Sequence, residues 1–319
     1  MRGRGGWRTA LPAGVVVLLA IALTGAGVGP VSFLATAAAD PTTPSAPAAP
    51  GSTTVDALAT AVVEAEATAE AEAAAEVAAS AEAVASAVGA VDAIADEAGV
   101  WVGVAVLDRV TGELAVGAEG AKPIAAASLT KLFTVVDVLT RAAAGQIAIT
   151  DADQRLVLRA LTASDDGAMN ALWSRFGGPA TVGGAVAVAG LRDGRPPSDP
   201  SQWGEAAVSA RDLVTLYDDV LTQMEPTHRD LVMGALTASP DVAADGFHQD
   251  FGLLAPPRRP GVAAKQGWMW WGPTFYLHSA GTLGPDWRYV VAIESTSRSS
   301  AVGRATVNRA AAAATLALP

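Results

Sequence analysis

Ala127-Ser-Leu-Thr-Lys131 is the stretch on which the reading of this chain turns. Ser128 and Lys131 stand three residues apart at the head of Leu129–Ala144, an apolar-periodic run that ends at Gly145 and reads as a helix. Positions i and i+3 share a helix face, so the hydroxyl and the amine can meet. A helix N-terminus also favours negative charge developing at the serine. The lysine itself is informative, because the chain prefers arginine and has only Lys122, Lys131 and Lys265. Arginine keeps its proton in a protein, whereas a buried lysine loses one more readily and can take the proton of a serine. Alone, the S-x-x-K spacing also fits a serine that merely caps the helix.

Two further segments change the weight of that first one. Ser164-Asp-Asp166 lies between two helical stretches, and Lys265-Gln-Gly267 lies in a predicted strand. In order and context the three segments resemble the S-x-x-K, S-D-N and K-T-G motifs of penicillin-recognising serine enzymes. The chain from about Val100 to its end is thus similar to the class A β-lactamases and related penicillin-binding proteins. Gly177-Gly-Pro179 after the second motif adds to the resemblance. So does Val208-Ser-Ala-Arg-Asp212, which looks like the start of the helix after the family's Ω loop.

The resemblance implies a role for each motif residue. Ser128 would be the acylated nucleophile and Lys131 its general base. Ser164 would relay a proton to the leaving nitrogen, and Lys265 would supply positive charge for a substrate carboxylate. Gly267 would keep the strand clear where substrate lies alongside. The backbone N–H groups of Ser128 and Trp268 would form the oxyanion hole. Asn170 matches an asparagine of the family just beyond the second motif and is expected to be structural.

The sequence also departs from the pattern. Asp166 replaces the asparagine of the second motif, placing a carboxylate where it favours the charged form of Lys131. Gln266 stands where a hydroxyl residue is usual, and Trp268, Trp270 and Trp271 crowd the end of the strand. No E-x-x-L-N occurs, although class A enzymes activate the deacylating water with that glutamate. Asp199 and Glu205 are the nearest carboxylates, and neither has the surrounding motif. Slow deacylation is the expectation.

Outward from the motifs, Val102–Leu107 and Glu113–Val116 read as a hairpin closed at Gly112. Helical patterns cover 151–161, 167–176, 181–189 and 210–224. Strands are expected over 261–267, 275–282 and 287–295, before a final alanine-rich helix over 301–318. This order predicts an α+β domain, β-lactamase/transpeptidase-like, with an antiparallel sheet built from both ends of the sequence, flanked by helices and carrying a helical subdomain.

The N-terminus has another character. Arg2, Arg4 and Arg8 precede an apolar run from Val15 to Leu23 and an Ala35-Thr-Ala37 site, the parts of a secretory signal. The uncharged stretch 11–39 is also long enough to anchor the chain in a membrane. Residues 1–39 are therefore a signal peptide or signal-anchor, and 40–54 a Pro/Ala-rich linker. Residues 55–98 form an Ala/Glu-rich helical spacer leading into the first domain helix, with the hydrolase-like domain over 99–319. The domain is expected outside the cytoplasm, secreted or anchored.

The 319 residues carry 21 bases against 32 acids, a formal charge of −11. Ten of those acids lie between Val55 and Ala98, where no base occurs, so the net from Gly99 onward is −3. This charge excludes a nucleic-acid partner. Zero cysteines exclude disulfides, thiol nucleophiles, thiolate zinc sites and lipid attached to cysteine. No cofactor motif is present, and His228, His248 and His278 lack metal-ligand spacing. The three tryptophans at 268–271 fit a stacking platform as well as core packing. Two functions remain. One is a serine acyl hydrolase acting on a small β-lactam or a D-alanyl peptidoglycan peptide. The other is a catalytically degenerate cell-wall scaffold that keeps the fold.

Overall fold

The computed structural model describes residues 52–319, so the expected export signal and nearly all of the linker lie outside the described residues. Helix α1 spans Ser52–Ala98 and is 47 residues long. From Thr60 to Ala79 its side chains are exposed, and burial begins at Ser80. Val84, Ala87, Val88, Val91 and Ala95 are buried at three- and four-residue steps, the stripe that lets only this second half pack. By length and composition 60–98 could cross a membrane, but this stripe lies in the domain core.

Strand β1 (Trp101–Asp108) turns back into β2 (Leu114–Val116). After the helices come β5 (Ala264–Trp271), β6 (Thr274–Leu283) and β7 (Tyr289–Ser297), with β3 (Ile124–Ala125) and β4 (Ala207–Val208) forming a small separate ladder. The main sheet is antiparallel in the order β2-β1-β7-β6-β5, so the two ends of the sequence do build it. The central strands are apolar on both faces because both are covered. Val291 and Ile293 face α1 and the final helix α8 (Ser300–Ala317), whereas Val290 and Ala292 face the other helices.

Those helices gather round α2 (Thr130–Ala143), whose residues Thr130 to Leu139 are all buried. Around it stand α3 (Asp151–Thr162), α4 (Asp166–Phe176), α5 (Pro179–Val188), α6 (Ala210–Thr222) and α7 (Pro226–Thr237). The fold is thus the expected α+β arrangement, with three local differences. Helix α7, started by the Glu225 side chain capping His228 N–H and by Pro226 at its first position, was not among the predicted helices. Strand β5 continues through the tryptophans to Trp271. A short 3-10 turn over Ala127–Leu129 precedes α2, so Ser128 lies on the turn and not in the helix.

Candidate active site

Ser128 reaches its position through local strain. Ala127 has φ +48°, a left-handed conformation unusual for a residue with a side chain, and such strain persists only where its surroundings enforce it. The surroundings are visible. Ala126 N–H donates to Ala206 O at 2.7 Å, and the His278 ring holds Ala125 O at 3.0 Å. Ser295 N–H donates to His278 Nδ1, so Nδ1 is the acceptor and Nε2 carries the proton given to Ala125. Burial lowers the His278 pKa to about 4, which keeps this bridge neutral. Gly267 is required on the other side: a Cβ there would lie 3.0 Å from Ala126 O and 3.2 Å from Leu129 Cγ.

Four of the predicted side chains converge. Lys131 Nζ lies 2.9 Å from Ser128 Oγ and 3.1 Å from Ser164 Oγ, and it donates to Ser164 O at 2.5 Å and Asp166 Oδ1 at 2.6 Å. Lys265 Nζ donates to Ser164 Oγ at 2.8 Å and to Gln266 O at 2.8 Å. Ser164, itself at φ +54°, is placed by the junction of α3 and α4, where Asp165 caps α4 through Ala168 N–H. Both lysines are buried, at 0% and 1% exposure, inside a cluster whose other polar members are hydroxyls, carbonyls and the Asp166 carboxylate.

The electrostatics follow from that burial. Burial pushes the Lys131 amine below the ordinary lysine range, and the charge and hydrogen bond of Asp166 act against it without cancelling it. Lys265 is pushed well down, first by burial and then by the charge of Lys131. A neutral Lys131 has two N–H groups, which its two shortest contacts, Ser164 O and Asp166, would take. Its lone pair then faces the hydroxyls, and it can accept the Ser128 proton.

The remaining predicted residues fall differently. Gln266 presents nothing to a ligand: it is 1% exposed, on the face of β5 opposite Lys265 and Gly267, and its amide donates to Phe251 O and Gln249 O. These bonds hold the amide away from a ligand, so its expected place in a substrate wall is corrected. Lys265 N–H meets Tyr217 Oη, which itself donates to Ala280 O between β5 and β6. Alternation along the strand then turns Trp268 N–H to the open edge of β5. Asp199 caps a turn through Ser201 N–H and Oγ. Neither Asp199 nor Glu205 is among the hydrogen-bond partners of Ser128 or Lys131.

Several contributors had no signal in the sequence. Trp203 lies with its ring centroid 4.9 Å from Lys131 Nζ, and its Nε1 donates to Asn170 Oδ1 at 2.9 Å, which gives that asparagine its structural role. Its loop is fastened by buried Asp212, whose carboxylate accepts from the backbone of Arg192, Asp193 and Gly194. Asp245 accepts from Trp268 Nε1 at 3.1 Å, and Phe247 stacks on the Trp268 ring at 4.7 Å. Beside His278 in the sheet stands Glu294, fully buried, with neither carboxyl oxygen partnered and its pKa pushed well up by burial.

Searches for relatives agree with the fold. The chain is 37% identical over 223 residues to the proteins of Mycobacterium tuberculosis and Mycobacterium bovis named "Putative lipoprotein LppW", covering 67% of this chain and 70% of theirs. No family model matches the sequence. Among solved structures, a β-lactamase from Xanthomonas campestris superposes with a TM-score of 0.59 at 16% identity, over 71% of this chain and 95% of that one. A β-lactamase from Sphaerobacter thermophilus gives 0.57 at 19% identity, over 71% and 95%. A third, from Chitinophaga pinensis, gives 0.58 at 15% over 70% and 96%. With its two motif lysines buried round Ser164 on a divergent class A β-lactamase-like fold, the chain belongs to the family of the mycobacterial LppW proteins.

Proposed function

We propose that the protein is an exported serine acyl hydrolase or acyltransferase that works through a Ser128 acyl-enzyme on D-alanyl cell-wall peptides or β-lactams. The observation that carries the reading is the bridging position of Lys131 Nζ, 2.9 Å from Ser128 Oγ and 3.1 Å from Ser164 Oγ. In acylation, Lys131 takes the Ser128 proton as Oγ bonds to the carbonyl carbon, and the N–H groups of Ser128 and Trp268 receive the oxyanion. The bond to the leaving group breaks as Ser164, polarised by Lys265, passes its proton to the departing atom and is refilled by the proton Lys131 took, 3.1 Å away. Water then attacks the ester and frees Ser128. That second half is slow, because no glutamate stands at the usual place and Trp203 covers the amine.

Export rests on the basic start and apolar run of the N-terminus and agrees with relatives named as lipoproteins. A thioether-linked lipid has no attachment point here, since the sequence has no cysteine. Membrane retention, where it occurs, would use residues 11–39. A second reading, a scaffold with a silent site, draws on the ion pair between Asp166 and Lys131 and on the diverted Gln266.

Intact-mass analysis separates the two readings. The protein is incubated with a fluorescent penicillin and, separately, with a neutral D-alanyl thioester. A persistent acyl adduct from the neutral thioester on the wild type, absent from Ser128→Ala, is the expected result. No adduct from either reagent leaves the scaffold.

A further inference from the structure

The rim beside the third motif carries the wrong charge for a carboxylate. Asp245 is fixed there by two donors, Trp268 Nε1 at 3.1 Å and Phe247 N–H at 2.9 Å. Trp268 is in turn clamped against Phe247 with the rings 13° from parallel, so the carboxylate has a set place. Its field reaches both amines, favouring the charged forms of Lys131 and Lys265. Asp166, on the other side of Lys131, has a side chain 60% exposed to the cleft and solvent.

The cations that could offset these carboxylates are already engaged. Lys265 is buried and directs its hydrogens to Ser164 Oγ and Gln266 O. Arg159 is held by Asp165 at 2.5 Å. Arg304 lies over the Phe247 ring, paired with His248 O and Asp250. The Gln266 amide, which could have received a carboxylate, faces backbone carbonyls. What the rim does offer is aromatic surface: the Trp268 ring beside Asp245, with its centroid 5.7 Å from Lys265 Nζ. Carboxylate and indole faces together suit an amide or an ammonium group.

Resting on the serine reading above, we infer that Asp245, seated on Trp268, determines specificity: the cleft takes acyl donors that present an uncharged amide or an amine at this end and rejects those that present a carboxylate. The like-charge contact disfavours the acid, and no paired donor compensates.

Two D-alanyl thioesters test this, identical except that the thiol leaving group ends in a carboxylate in one and a carboxamide in the other. Their affinities for Ser128→Ala, where no acyl transfer occurs, are measured by NMR titration. The amide should bind about tenfold more tightly. Asp245→Asn in the same background should bring the two within about twofold by strengthening the acid. Equal or tighter binding of the acid, an unchanged ratio in Asp245→Asn, or no binding of either thioester overturns the inference. Intact mass of the wild type with the same pair reads the chemistry separately: attack by Ser128 Oγ breaks the C–S bond and releases the thiol with its proton. The expected binding ratio without any Ser128 adduct would retain the charge selection and reject the acyl-enzyme.

Discussion

Lys131 Nζ and Asp166 Oδ1 are 2.6 Å apart, so the proposed base is ion-paired on one side while it contacts the proposed nucleophile on the other. The contact favours the ammonium form, and burial favours the amine; burial prevails. Removing the carboxylate should therefore free the base at lower pH. In Asp166→Asn the acid limb of the acylation rate should move down by about one pH unit, the low end of the usual range for a charge partner this exposed. Rates on the alkaline plateau should stay within about twofold. Stopped-flow acylation by the neutral thioester between pH 5 and 9 reads the limb, and an unmoved limb would reject this account of Lys131.

Trp203 covers the same amine at 4.9 Å and is fixed by Asn170. Trp203→Ala should let water reach the ester and shorten the acyl-enzyme half-life severalfold, while Trp203→Phe should keep it near the wild-type value. The decay of the adduct, followed by mass, checks both. Equal half-lives in all three proteins would show that the indole does not limit deacylation.

Behind the serine, His278 and Glu294 give stability opposite pH slopes. The folded protein keeps His278 neutral down to about pH 4, whereas an unfolded chain protonates it near pH 6.5. The unfolded state therefore binds more protons in that window. Stability from this group is full above about 6.5 and falls by about 3 kcal/mol towards pH 4. His278→Gln should remove that fall. Glu294 is held protonated, so its contribution is present at acid pH and lost as pH rises. Glu294→Leu should stabilise the protein at pH 8 by roughly 1–3 kcal/mol and by less at pH 4.5. Urea unfolding across pH 4–8 measures both, and parallel wild-type and variant profiles would contradict the assignment.

The division of α1 predicts where the chain can be shortened. Glu76 and Ser80, in the middle of the helix, are tied to the sheet through Arg288 and Asp108. A chain beginning at Ala75 should melt within about 2 °C of the full protein, since the missing described side chains from Thr60 are exposed. Removal through Ala98 takes away five buried apolar side chains and uncovers the face they pack on, at a cost on the order of 6 kcal/mol, comparable to the stability of a whole domain. Differential scanning calorimetry distinguishes the cases. A large loss in the shorter truncation would mean that the exposed half of α1 contributes to the fold.

The sequence by itself determined the architecture and the four converging side chains. Short apolar runs with a Gly-closed turn in 102–116 and over 275–295, periodic helices between them and three ordered motifs are local signals, and each survives in the structure because local pattern and tertiary burial agree. Helix α7 lacked such a signal, since its start depends on a single cap at Glu225 and Pro226. Only the tertiary structure decided how the site is tuned. Trp203 over Lys131, Asp245 on Trp268 and His278 beneath Ala125 join residues 72, 23 and 153 positions apart, and no spacing rule links them. The diversion of the Gln266 amide was equally hidden, because it follows from the carbonyls of Phe251 and Gln249 waiting beside β5. Contacts of that kind exist only once the chain has closed on itself, and they set the charge and access of a site whose members the sequence had already named.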